Sequence, residues 1–95
     1  MLTIHNPSSP DPDEAAALAL GALGFILSDD RRAQRFLDLT GLDADGLRTT
    51  LGEAATHRAI IEFLCAHEPD LVGAAQSLGV SPEALRRAGQ PDFLE

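Results

Sequence analysis

Asp-Pro-Asp-Glu-Ala-Ala-Ala-Leu-Ala-Leu-Gly-Ala-Leu-Gly-Phe-Ile-Leu-Ser (11–28) decides the fold. Asp11 can cap a helix, Pro12 suits its first position and Glu14 completes a capping box. The interior that follows is apolar on every side, as in a helix buried centrally or within an assembly. Gly21 and Gly24 each cost roughly 1 kcal/mol relative to Ala in a helix interior. Close packing against neighbours must offset that cost. The first helix is therefore expected over 12–28.

Working outward, the same grammar repeats. Asp29 and Asp30 offer cap oxygens to a helix over 30–40, with Ala33, Phe36, Leu37 and Thr40 on one face and Gly41 as its stop. Asp43 caps a short helix over 44–51, with Leu47 and Leu51 inward. A fourth helix is expected over 54–67, its stripe formed by Ile60, Phe63, Leu64 and His67. Pro69 opens a fifth over 69–78, carrying Leu71, Ala74, Ala75 and Leu78 at helical spacing. Gly79 stops it, Ser81 caps the sixth and Pro82 opens it, with Leu85 and Ala88 inward. Period-two alternation is not sustained anywhere, so the fold class is all-α: a compact bundle of five to six short helices, the last two crossing in a helix-turn-helix-like arrangement. Phe36, Leu37, Phe63 and Leu64 are the expected core.

The 95 residues make one small domain. It is expected over 11–90, between an N-terminal tail (1–10) and a C-terminal tail (91–95). The longest apolar run, Ala15 to Leu27, is thirteen residues, against about 20 for a membrane span. It follows Asp11, Asp13 and Glu14 rather than the cations of a secretory signal. A soluble, cytoplasmic chain is expected, and in that setting the lone Cys65 reads as a small buried hydrophobe.

Seven arginines and no lysine stand against fifteen acids, for a net charge of −8. That balance disfavours nucleic acid and anionic membranes as partners. The segment 70–88 nevertheless has the layout of a helix-turn-helix, with Ala75 at the crossing, Gly79 in the turn, Val80 below it and Leu85 pinning the second helix. Arg86 and Arg87 would be its DNA contacts. Glu83 precedes both at helical spacing and can neutralise them. The same local pairing is expected for Arg32 with Asp29, Arg35 with Asp38, Arg48 with Asp45 and Arg58 with Glu62, leaving Arg31 alone.

His57, Cys65 and His67 match no zinc spacing, since Cys65 and His67 point to nearly opposite sides of a helix. The same geometry weakens a Cys–His nucleophilic pair. The acids at 11–14 and 29–30 fit helix capping. No catalytic, metal or cofactor residue is assigned, and the chain is read as a non-enzymatic domain. Its candidate interaction surface is Leu20, Leu23 and Leu27 of the first helix, with Phe93 and Leu94 of the tail. The expected partner is another protein or a second copy of the chain. The alternative is a DNA-binding regulator using 70–89.

Three stretches taken in order carry a resemblance: Ala-Leu-Ala-Leu-x-Ala-Leu-Gly-Phe-Ile (17–26), Arg-Phe-Leu-x-Leu-Thr-Gly-Leu (35–42) and Ile-x-Phe-Leu (61–64), followed by Glu68. They resemble a small bacterial family catalogued as domain of unknown function 3572, over about 13–88. The resemblance implies a short, all-helical, soluble protein and carries no activity, cofactor or site residue. At 54–57 this chain has Ala-Ala-Thr-His where the family pattern has a proline and an aromatic.

Overall fold

The computed structural model describes residues 12–89, and Asp11 and both expected tails lie outside them. Six helices in order fill the described residues: α1 (Pro12–Leu27), α2 (Asp30–Thr40), α3 (Ala44–Thr49), α4 (Ala54–Cys65), α5 (Glu68–Leu78) and α6 (Pro82–Ala88). No strand occurs among them.

The caps act as the sequence dictates. Asp29 accepts a hydrogen bond from the Arg32 N–H at 2.9 Å, Asp43 from Gly46 at 2.7 Å and Ser81 from Ala84 at 3.0 Å. Gly41 and Gly79 end α2 and α5 in the left-handed conformation, with φ of 74° and 72°. After Gly79 the Val80 N–H reaches back to the Ala75 carbonyl at 3.0 Å, the six-to-one bond of a Schellman turn. Gly79, Val80 and Ser81 thus form the three-residue turn between α5 and α6.

Two ends fall short of expectation. α3 stops at Thr49 because the Thr50 hydroxyl bonds the Gly46 carbonyl at 3.0 Å, competing with the backbone ladder. α4 stops at Cys65 because His67 is already extended (φ −141°, ψ 100°) as the residue that leads into α5. α4 begins at Ala54 as expected, without a side-chain cap from Glu53.

α1, α4, α5 and α6 each pack on all three of the others, and α2 leans on α1 and α4. Ile26, Phe36, Ile60, Ile61, Leu64, Leu71 and Leu85 are the large side chains sealed at the centre, each worth about 1.5–3 kcal/mol of apolar transfer. Phe36 meets Phe63 edge to face at 5.3 Å and 85°, a favoured aromatic geometry. Leu37 is only half-buried and packs against this core from its edge.

Glycines set how closely the helices approach. A Cβ on Gly21 would lie 2.6 Å from Leu78 Cδ2, and one on Gly73 would lie 2.9 Å from Phe25 Cζ. α1 and α5 therefore exchange a side chain for a gap in both directions, flanked by the sealed Ala19, Ala22, Ala74 and Ala75. Gly89, at the end of α6, receives Ile61 of α4 in the same way. Gly24 differs, since among the described residues nothing beyond its own stretch of helix lies within 4 Å of a Cβ built there. Packing offsets the helix cost of one glycine in α1 and not of the other.

Two expectations are corrected here. Cys65 is exposed rather than buried. It lies on the flank of the α4 stripe rather than on it. Leu23 is 6% exposed and belongs to the core, not to a surface, because Ala19, Ala22, Leu23 and Ile26 together face the other helices.

Candidate interaction surface

α1 is apolar all round, so its outer side is apolar too. Ala17, Leu20, Gly24 and Leu27 are exposed on it, with Leu20 at 40% and Leu27 at 45%. Their spacing of three, four and three residues sets them on one line along the helix, opposite the buried set. Leu20 and Leu27 are thus where the sequence placed a surface, and Leu23 is not. Phe93 and Leu94 lie outside the described residues.

A second apolar feature was not foreseen. Leu39 of α2 is 71% exposed. With Thr40, Leu42, Ala59 and Phe63 it lines a shallow groove of about 450 Å³ between α2 and α4. The signal in the sequence is a leucine standing off the Phe36–Thr40 stripe, on the polar side of its helix.

The polar constellation of the molecule gathers on Asp70, near the start of α5, which is 13% exposed at its side chain. Arg35 Nη2 lies 2.6 Å from its carboxylate, His67 Nδ1 3.1 Å and Arg32 Nη1 3.9 Å. Arg32 also donates from Nη2 to the Phe25 carbonyl at 2.9 Å, and its guanidinium sits 4.0 Å above the Phe25 ring. A cation at that carbonyl satisfies the end of α1, where the helix dipole is negative. Its buried Nε has no hydrogen-bond partner among the described residues. The cluster ties α2 to α5 and to the last turn of α1. It also corrects the local pairing: Asp38 takes Gln34 Nε2 at 2.9 Å instead of Arg35, and Asp29 is used as a backbone cap.

Arg48 and Asp45 pair as expected at 3.1 Å. Arg86 and Arg87 lie 3.3 and 4.0 Å from the two oxygens of Glu83. Both DNA-contact candidates on α6 thus share one acid. Arg31 and Arg58 make no ion pair among the described residues.

The histidines and the cysteine do not converge. His57 is half-buried, and its Nε2–H donates to the Leu51 carbonyl at 2.6 Å, pinning the loop after α3. His67 turns to Asp70, and Cys65 faces outward. Among the described residues no three of His, Cys, Asp or Glu are placed to hold a metal ion. Within the same residues no helix is long and apolar enough to cross a membrane.

Comparison with known proteins returns one family. The model described as protein of unknown function (DUF3572) matches residues 12–91, and the chain belongs to that family. No curated protein and no solved structure matches it.

Proposed function

We propose that this member of the DUF3572 family is a non-enzymatic domain of the cytoplasm that works by contact with another protein chain through the outer face of α1. The observation that carries the reading is the line Ala17, Leu20, Gly24, Leu27, open to solvent on a helix whose opposite face is sealed in the core. Single exposed leucines are ordinary on any protein. Two of them one heptad apart, joined by Ala and Gly, form a continuous apolar strip that a second helix can cover.

The test is a Leu20→Gln/Leu27→Gln variant used as bait beside the native chain. Both positions are surface sites, so the helical signal and denaturant midpoint are expected to hold. Proteins captured by the native chain and lost with the variant support the reading. An identical captured set with both baits moves the contact to another face, the Leu39 groove being the first to examine.

The DNA-binding alternative draws little support from α6. The helix has seven residues, and Glu83 holds both of its arginines. Specific regulators bind at about 10⁻⁸ M or tighter at physiological salt. Fluorescence anisotropy with genomic fragments is expected to show no such binding. Affinity of that order, abolished by Arg86→Ala, would replace the present reading.

A further inference from the structure

We propose that the groove between α2 and α4 is a docking site for an amphipathic helix of another protein, one with a basic residue at the middle of its apolar face. The proposal does not depend on the outer face of α1. One wall of the groove is formed by Leu39 and Leu42. The other follows α4 from Ala55 through Ala59 and Glu62 to Ala66, with the buried Phe63 between the two walls. At 1.5 Å per residue the α4 wall is about 16 Å long, which accommodates about three turns of an opposing helix. Leu39, at 71%, is the most exposed large apolar side chain among the described residues, so cover at this groove removes more of its surface from water than of any other.

Charge identifies the occupant. Glu62 is the one charged side chain lining the groove. It is exposed and makes no ion pair among the described residues. Arg58, one turn before it on α4, does not pair with it. Arg35, whose guanidinium stands 5.1 Å from the Phe63 ring, is held by Asp70 at 2.6 Å. Leu42 also borders a second hollow lined by Asp38 and Asp43, whose partners are the Gln34 amide and the Gly46 N–H rather than cations. A helix seated in the groove brings its middle turn over Glu62, where Lys or Arg is attracted and an acid is repelled.

The same charge speaks against occupants from within. The segments 1–11 and 90–95 contain neither Arg nor Lys. A second copy brings its own net charge of −8 to an acidic groove, and the two repel.

Two synthetic peptides of about 15 residues test this, each with Leu and Ala on one helical face and Gln on the other. One carries Lys at the centre of the apolar face, and its twin carries Glu there. Each is titrated to about 1 mM into the full nitrogen-15-labelled chain while the amide shifts are followed. The Lys peptide is expected to move the amides of Leu39, Ala59 and Glu62 to saturation, and to bind about threefold to tenfold more tightly than its twin. Glu62→Lys is expected to invert that preference. Leu39→Gln is expected to weaken both peptides by about tenfold. Leu20→Gln/Leu27→Gln is expected to change neither affinity, so loss of the α1 reading and loss of this one are told apart. Far-ultraviolet circular dichroism confirms that each variant is folded.

Groove amides that stay still with both peptides overturn the docking site. Equal affinities, or a preference that Glu62→Lys leaves in place, overturn the basic partner. Groove amides that move when the protein alone is diluted assign the groove to a second copy. Groove amides that move in a full Phe93→Gln/Leu94→Gln chain assign it to the tail. Either of these last results overturns the proposal.

Discussion

One methyl group added at three glycines should give three different answers. Gly24→Ala places the methyl in open space on the outer side of α1. The chain keeps every contact and gains the intrinsic preference of Ala over Gly, about 0.8–1 kcal/mol in a helix interior. Gly89→Ala is the opposite case. Its Cβ would stand 2.5 Å from both Cβ and Cγ2 of Ile61. Ile61 is sealed and β-branched, so its Cβ cannot turn aside. α4 and α6 must separate, at a cost of about 1–3 kcal/mol. Gly21→Ala falls between them. The atom it meets is Leu78 Cδ2, at the end of a half-buried side chain that can swing away. The helix gain and the repacking cost are expected to leave the stability within about 1 kcal/mol of the native value. Urea titrations followed by far-ultraviolet circular dichroism read all three. With a slope of about 1–3 kcal/mol per molar in urea, Gly24→Ala should raise the midpoint by about 0.3–1 M. A Gly24→Ala chain no more stable than the native one, or a Gly89→Ala chain that matches it, would refute the account of which glycines are spacers.

Three further outcomes are expected. Phe63→Ala removes the partner of Phe36 and should cost about 3–5 kcal/mol; an unchanged denaturant midpoint would make Phe63 peripheral. Asp70→Asn weakens the junction of Arg32, Arg35 and His67, where charged hydrogen bonds are worth about 1.5–3 kcal/mol in general. The half-exposed Arg35 places this one at the lower end, and a loss that persists undiminished in high salt would argue against an ionic origin. Cys65 should react with a thiol reagent in the folded protein at nearly the rate seen in denaturant, and strong protection would contradict its outward position.

Local chemistry was legible in the sequence because it is local. Asp29, Asp43 and Ser81 act on N–H groups three residues away, and Gly41 and Gly79 stop helices through their own dihedrals. No partner needs to be known for either effect. The orientation of α1 was not legible. Its apolar residues surround the axis, so no stripe tells Leu23, which is buried, from Leu20 and Leu27, which are not. The Asp70 junction was hidden for a related reason. Arg35 has Asp38 at helical distance and Asp70 thirty-five residues away, and only the packing of α2 near α5 decides between them. Cys65 and Leu39 each stand off a recognised stripe, where the outcome depends on how far the neighbouring helix extends.

The mutual packing of α1, α4, α5 and α6 bears on how the chain is made. Of the six described helices the earliest made packs on the latest, and Leu85 of α6 is sealed within the same core as Ile26 of α1. A nascent chain that has reached Gly79 carries α1 to α5 but leaves the surface meant for Leu85 bare. Native closure must then wait for α6, and until it arrives the apolar faces of α1 and α4 are open to other chains. Synthesis and folding are thus separated in time for this domain. A chain terminated at Gly79 is expected to show helical content without a cooperative thermal transition.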